Sequence, residues 1–282
     1  MQNVADFLRR QGRDGLLPWG AQCAAADQYR MSMGDVERLA LEQGLFPARY
    51  QRNRNLISLA DQLHLFNSKV AVVGCGGLGG YVIEELARMG VGHIVAIDPD
   101  IFEEHNLNRQ ILSTPATLGK AKVDAAADRV AEINPAVTVT AIRDAFCTAN
   151  GFRLLKGANV AVDALDSIPY RLEMAAICGT AGIPMVHGAI GGWYGNVATQ
   201  LPGDTTVQQI YRNWVDGKGI EQQLGNPAFT PAVVASLEVA EVCKLLLGKG
   251  ELLRCRKLNI DLLEMEVHEI PYQPALELIE AA

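Results

Sequence analysis

Residues 70–98 read VAVVGCGGLGGYVIEELARMGVGHIVAID and leave little choice of local fold. An apolar run at 70–73 meets Gly74, Gly76, Gly77 and Gly79. A helical spacing follows over 81–89, and a second apolar run, 93–97, ends at Asp98. That is the pattern of a strand, a tight glycine turn, a helix and a parallel strand. The glycines have separate tasks: one makes the turn, one lets the backbone come close to a phosphate, and one lets the helix lie tightly on its strand. A helix that starts at such a turn aims its free amide groups, with Leu78 in the first turn, and the positive end of its dipole at an anion. Asp98 follows at the interval from which an acid reaches a ribose hydroxyl. A nucleotide site is therefore expected at this turn.

Beyond Asp98 comes PDIFEEHNLNRQIL, the most informative polar cluster in the chain, carrying Asp100, Asn106, Arg109 and Gln110. A redox cofactor on the same turn has no obvious need of these groups. A triphosphate does, because its added charge must be held by a guanidinium fork and amide donors while one phosphate is displaced. A helix is expected over 120–133, stopped by Asn134 and Pro135. Lys122 in its first turn opposes the helix dipole, which points to an anion in front of it. Residues 137–142 alternate as a third strand, and 159–162 form a short buried fourth one, followed by DALDSIPYR. Asp163 and Asp166 then lie outside the carboxyl end of a parallel strand, where such sheets bind ligands. A carboxylate there suits Mg2+, which takes one or two protein carboxylates and fills its shell with water and phosphate oxygens. Asp166 is assigned to the metal and Asp163 to support.

The flanks are less defined. Helical spacing at 4–10 and 36–43, with a polar stretch and Pro18 between, makes residues 1–45 a helical extension ahead of a domain spanning 46–282. Arg49, Tyr50, Arg52 and Arg54 precede a helical pattern over 56–65. Strands are expected at 185–190 and 196–201 around a glycine turn bearing Trp193 and Tyr194, with His187 as a core residue. Residues 203–227 are polar and unpatterned, as in a crossing segment or lid. A buried helix over 231–247 ends at Gly248, and strands at 257–263 and 265–270 close the fold. The expected class is thus α/β: a doubly wound, mostly parallel Rossmann-like sheet with antiparallel strands on its C-terminal side and a helical N-terminal extension.

A net charge of −7 argues against broad attraction to nucleic acid or an anionic membrane. Apolar stretches are too short to span a bilayer and the first residues lack a secretory pattern, so a cytoplasmic protein is expected. The six cysteines are scattered with no CxxC pair; they signal neither a disulfide framework nor a zinc site, and read mostly as buried small hydrophobes.

GCGGLGG, the acid at Asp98, the run from Asn106 to Gln110, GKAK and DALDSIPYR, in this order and spacing, resemble the ThiF/MoeB/HesA adenylyltransferases, bacterial relatives of the ubiquitin-activating enzymes. The resemblance covers about residues 49–270. It implies a fold that binds ATP and Mg2+ and adenylates the C-terminal glycine carboxylate of a small ubiquitin-like (β-grasp) sulfur carrier protein ending in Gly-Gly. Such a reaction serves sulfur transfer in thiamine or molybdenum/tungsten pterin cofactor biosynthesis. By the same resemblance Asp98 would hold the ribose, Arg109 and Lys122 the phosphates, and Asp166 the Mg2+. Arg52, in RYQR, would reach the triphosphate of a neighbouring subunit, which implies a homodimer. Two departures stand out. The CxxC pairs that bind zinc in many relatives have no counterpart here, so zinc is not expected; and residues 219–230 lack the cysteine that many relatives use for thioester or sulfur transfer. The alternatives are adenylation of a small molecule or a modified tRNA, as in the threonylcarbamoyladenosine dehydratase branch; an NAD-dependent oxidoreductase; and a binding module without turnover.

Overall fold

In the computed structural model, residues 3–214 and 224–272 are described. Eight strands form one sheet. Its parallel part consists of β3 (Lys69–Val73), β4 (His93–Ile97), β5 (Thr138–Ile142), β6 (Val160–Asp163) and β7 (Met185–Gly191). Antiparallel strands β8 (Tyr194–Gln200), β9 (Arg256–Asp261) and β10 (Glu266–Pro271) extend it. The order is β10-β9-β8-β7-β6-β3-β4-β5. Because β3 sits between β4 and β6, the chain winds outward from it in both directions, and a crevice opens where the connections diverge.

Central strands covered on both faces need apolar residues at every position, and β3, β4 and β6 are almost continuously buried. Their alternate side chains enter two separate cores. Val70, Val72, Ile94 and Ala96 pack under α5 (Gly77–Met89), α6 (Lys122–Ile133) and a 19-residue helix, Phe229–Leu247. Ala71, Val73, Val95 and Ile97 face α7 (Gly151–Leu154) and α8 (Ile168–Ala181) on the opposite side. A short helix, α9 (Thr206–Ile210), follows β8, and the 19-residue helix is α10. The expected crossing over 203–227 therefore holds a helix at its start, and its middle, 215–223, lies outside the described residues.

The first residues form α1 (Val4–Gln11), α2 (Trp19–Tyr29) and α3 (Met33–Glu42) around their own cluster of Leu8, Leu17, Ala25, Val36 and Ala40. A two-residue pairing of β1 (Leu16–Leu17) with β2 (Phe46–Pro47) brings this unit to the main body. Tyr50 is the bolt. Its hydroxyl donates to the buried Glu37 carboxylate at 2.8 Å and accepts from Asn134 Nδ2 at 2.8 Å. Asn134 also donates to the Ala87 carbonyl at 2.8 Å, so one amide at the end of α6 joins α3 to α5. Gly90, at φ +79°, leaves room for the Tyr50 hydroxyl; a Cβ there would lie 2.5 Å from it.

Three differences from the sequence reading have clear causes. Helix α2 was not expected because WGAQCAAADQY has no apolar stripe; it buries only alanines and Gln22. The helix expected from residue 56 is α4, Leu59–Phe66, since Ser58 and Asp61 form a capping box that fixes its start. Of the six cysteines only Cys75 and Cys178 are fully buried, the other four being half-buried. Among the described residues no helix is long and apolar enough to cross a membrane.

Candidate active site

The glycine turn leaves β3 with Gly74 at φ +96°, where a Cβ would lie 2.5 Å from the Ala164 carbonyl oxygen. Gly79 is the packing glycine: a Cβ there would stand 1.8 Å from the Gly74 carbonyl. Gly76 precedes α5 and brings no side-chain cap, so the first amides of the helix keep their donors for something else. They face a cavity of about 350 Å³ lined by Gly74, Gly76, Gly77 and Leu78. This cavity lies at the carboxyl ends of β3 to β6, at the point where the winding reverses.

Asp98 is buried and already employed. Its Oδ2 accepts from the Cys75 amide at 2.7 Å and its Oδ1 from the Asp100 amide at 2.8 Å, which ties the glycine turn to the end of β4. Each carboxylate oxygen has a second lone pair, and Asp98 is part of the cavity lining. Lys122, 7% exposed, reaches Asp100 Oδ2 at 2.9 Å and lies 3.9 Å from Asp98 Oδ1. The anion anticipated in front of this helix-start lysine is thus supplied in part by the chain's own acids.

Arg109 lines the cavity from the loop beyond β4, held by hydrogen bonds from Nη1 to the His105 carbonyl at 3.0 Å and to Asn108 Oδ1 at 2.8 Å. Burial draws its guanidinium below the ordinary arginine range, and the Asp166 carboxylate works against that shift. Gln110 is buried beside Gly76, with its Oε1 lacking a protein partner. Asp166 is exposed on the rim beyond β6. Gly74, Gly76, Gly77, Leu78, Asp98, Asp100, Arg109, Gln110, Lys122 and Asp166 therefore meet in one cavity.

Four of the residues singled out in the sequence do not line it, and Asp163 is the first: it is fully buried at the end of β6, its carboxylate held by His187 and the Leu165 amide. Gly79 lies beneath the turn. Asn106 is buried under the loop, its Oδ1 accepting from the Glu103 amide at 2.9 Å and its carbonyl from the amides of Arg109 and Gln110. It shapes the segment that carries them. Arg52 sits exposed in a turn at 51–56, away from the cavity of its own chain.

Sequence reasoning missed Asp144, Tyr170, Arg171 and Asn226, all of which line the cavity. Asp144 follows β5 and could have been found by the same rule about carboxyl ends of strands. Arg171 stood within DALDSIPYR without a role. Asn226 had no local signal: it arrives from far along the chain, and its carbonyl accepts from Asn108 Nδ2 at 3.0 Å. A second cavity of about 400 Å³ adjoins the first through Ile190 and Arg171, lined also by Tyr194, Asn196, Tyr211 and Asn259.

The metal and thiol chemistry is limited. Among the described residues no group of three or more His, Cys, Asp or Glu side chains could hold a metal ion. Asp166 offers a single carboxylate, a donor set that suits Mg2+ completed by phosphate oxygens. Burial pushes the thiols of Cys178 and Cys243 up to about 12 and about 11 and raises that of Cys75 well above its ordinary value, so these three stay protonated.

A glycine turn at the switch point of a doubly wound sheet, with cations and amides past its second strand, defines a nucleotide-binding α/β protein. The comparisons narrow the class. The model of the ThiF family matches residues 50–278. The chain is 34% identical over 214 residues to the SAMP-activating enzyme E1 of Haloferax volcanii, covering 75% of this chain and 79% of that protein. It is 34% identical over 251 residues to the adenylyltransferase and sulfurtransferase MOCS3 of Arabidopsis thaliana, covering 85% of this chain and 54% of that one, so it spans about half of the latter's length. The solved structure of E. coli MccB with MccA-N7isoASN superposes with a TM-score of 0.70 over 90% of this chain and 83% of that one, at 22% identity. That likeness concerns the fold. The chain belongs to the ThiF family, and with it to the ATP-using adenylyltransferases.

Proposed function

We propose that this enzyme adenylates the C-terminal glycine carboxylate of a small ubiquitin-like sulfur carrier protein ending in Gly-Gly, with ATP and Mg2+. The observation that carries the reading is the pair of joined cavities. One is lined by an uncapped helix start and by Arg109, Lys122, Gln110 and Asp166; the second, beside it, has room for an extended chain end. The names of the two relatives, an activating enzyme for SAMP and an adenylyltransferase joined to a sulfurtransferase, support a protein acceptor used for sulfur chemistry. The product fits sulfur delivery to thiamine or to a molybdenum or tungsten pterin.

In the reaction an acceptor carboxylate oxygen forms a bond to the α-phosphorus of ATP, and the bond from that phosphorus to the bridging oxygen breaks. The electron pair leaves with pyrophosphate, and an acyl-adenylate remains. The chain supplies position and charge rather than a nucleophile. Lys122 and Arg109 are preorganised by their hydrogen bonds to face the charge that shifts toward the leaving phosphates. Gly76, Gly77 and Leu78 offer backbone donors, Asp98 accepts from the ribose, and Asp166 would hold Mg2+, which offsets phosphate charge when bound.

Charge bookkeeping supports help from outside the single chain. The cavity is lined by Asp98, Asp100, Asp144 and Asp166 against Arg109, Lys122 and Arg171, an excess of carboxylate before any phosphate enters. Arg52, exposed and without a cavity of its own to serve, fits the missing cation if a second copy presents it, and a homodimer follows. ATP as co-substrate fits a cytoplasmic setting. The test is ATP–pyrophosphate exchange by the full chain with a purified Gly-Gly carrier. Exchange that depends on the carrier and disappears when its last glycine is deleted is expected. Exchange driven by tRNA or by a small carboxylic acid, and not by any carrier, would overturn the choice of acceptor.

A further inference from the structure

Behind the wall shared by the two cavities runs a closed ring of hydrogen bonds that none of the roles above uses. Arg171 Nη1 donates to the Tyr211 hydroxyl at 2.7 Å, and Arg171 Nη2 donates to the Leu165 carbonyl. The Tyr211 hydroxyl lies 3.2 Å from His187 Nε2, with the two rings edge to face at 5.6 Å. His187 Nδ1 lies 2.7 Å from Asp163 Oδ2, and Asp163 Oδ1 accepts from the Leu165 amide at 3.0 Å. Asp163 and His187 are fully buried and Arg171 is 5% exposed.

A guanidinium only donates, so the Tyr211 oxygen accepts from Arg171. With the His187 hydrogen on Nδ1, the imidazole donates to Asp163 and its Nε2 accepts from the Tyr211 hydroxyl. A neutral histidine satisfies this order, and burial holds His187 below its ordinary value. The ring begins and ends on the two polar groups of one residue, Leu165, and the next residue is Asp166. Tyr211 and Arg171 both line the second cavity, and Arg171 lines the first as well.

We infer that Tyr211, His187 and Arg171 are positioning residues, through which occupation of the second cavity by an acceptor chain end sets the peptide that presents Asp166 to the nucleotide. The inference rests on the assignment of the two cavities under Proposed function. Tyr211 stands at the C-terminal end of α9 and lines the second cavity. A chain end entering beside it pushes on a hydroxyl rigidly tied to the loop beyond β6. Asp163, fully buried and absent from the cavity lining, is the anchor of that tie.

Tyr211→Phe keeps the ring packing and deletes only the hydroxyl; Arg171→Lys keeps the charge and loses the fork that reaches two acceptors. Hydrogen exchange of the amides at 164–167 in the full chain, with and without a short synthetic peptide ending in Gly-Gly, reads the coupling directly. Calorimetric titration with ATP at a series of Mg2+ concentrations reads its consequence. In the wild-type chain the peptide should slow exchange at 164–167. In both variants the basal exchange should rise about 5-fold, the scale of one net hydrogen bond, and the peptide should no longer slow it. The Mg2+ concentration for half-maximal ATP binding should rise by a similar factor, and in Tyr211→Phe, whose residue lies outside the nucleotide cavity, ATP affinity in the absence of Mg2+ should match the wild type. Two results would overturn the inference: wild-type exchange at 164–167 that ignores the peptide, or variants whose exchange and Mg2+ requirement match the wild type. A loss of ATP binding equal with and without Mg2+ would show a collapsed site instead of a positioning ring and would equally reject it. A wild-type chain that binds no ATP would sink the reading under Proposed function, while the exchange comparison would still judge the ring.

Discussion

Lys122 opens α6, where the positive end of the helix dipole makes an ammonium least welcome, and it is buried there between Asp98 and Asp100. Two carboxylates hold it in that placement, and it lines the cavity. Arg109 is its counterpart on the facing loop, pinned by its own neighbours rather than by acids. Lys122→Ala and Arg109→Ala should each lower carrier-dependent pyrophosphate exchange at least about 100-fold, the scale of losing one preorganised donor. Near-normal exchange in both would remove them from the reaction. Gly79 makes a different kind of prediction. Its missing side chain is occupied by the Gly74 carbonyl, so Gly79→Ala must push the whole turn out of place. A stability loss of roughly 1–3 kcal/mol, the usual cost of overpacking, should appear in denaturant titration together with loss of ATP binding. Intact ATP affinity in that variant would mean that the turn is not the phosphate cradle.

At the scale of elements, α10 carries a cost that its sequence hides. Glu238 is fully buried on this helix with neither carboxylate oxygen hydrogen-bonded, and a Cβ at Gly188 of β7 would fall 2.4 Å from its Cδ. Burial, with Asp163 and Glu85 adding to it, raises its carboxyl well above the usual range, so the folded chain keeps it protonated. The sign of the linkage follows. Below about pH 4.3 both states hold the proton and the group is neutral toward folding. As pH rises, the unfolded chain releases its proton first and is favoured, so this group's contribution to stability is progressively lost. Glu238→Gln is neutral at every pH and should remove that slope. Its melting temperature relative to wild type should climb between pH 5 and pH 8, by at least about 2 °C at the upper end. A gap that stays constant with pH would show that Glu238 does not titrate between the two states.

At the scale of the whole molecule, the site has more carboxylate than cation, and its arginine-rich entry segment points away from it. If Arg52 acts across a symmetric pair, chains carrying Arg52→Ala and chains carrying Arg109→Ala should each be nearly inactive in exchange. Mixed and re-equilibrated, they should recover about a quarter of wild-type activity, because half of the random pairs hold one intact site. No recovery, with both variants folded, would place Arg52 outside the reaction or the site within one chain.

The amino-acid sequence alone determined the parts whose physics is local. Alternating burial is unnecessary in a doubly covered strand, so continuous apolar runs marked β3, β4 and β6. Glycine spacing marked the turn, and the acids and cations just past strand ends marked the cavity. Asp98, Arg109, Gln110, Lys122 and Asp166 were legible for that reason. What remained hidden depends on distant chain meeting in space. Asn106 reads as a ligand until the loop is seen to fold over it, and Asn226 has no signal because only the crossing brings it near Asn108. Helix α2 has no periodicity to read, since its alanines pack into the small cluster of the N-terminal extension while Arg49 reaches the helix through Gln22 Oε1 and the Trp19 ring. The ring through Arg171, Tyr211, His187 and Asp163 joins four elements, and hydrogen bonds of that kind are set by tertiary packing, for which no spacing along the chain is diagnostic.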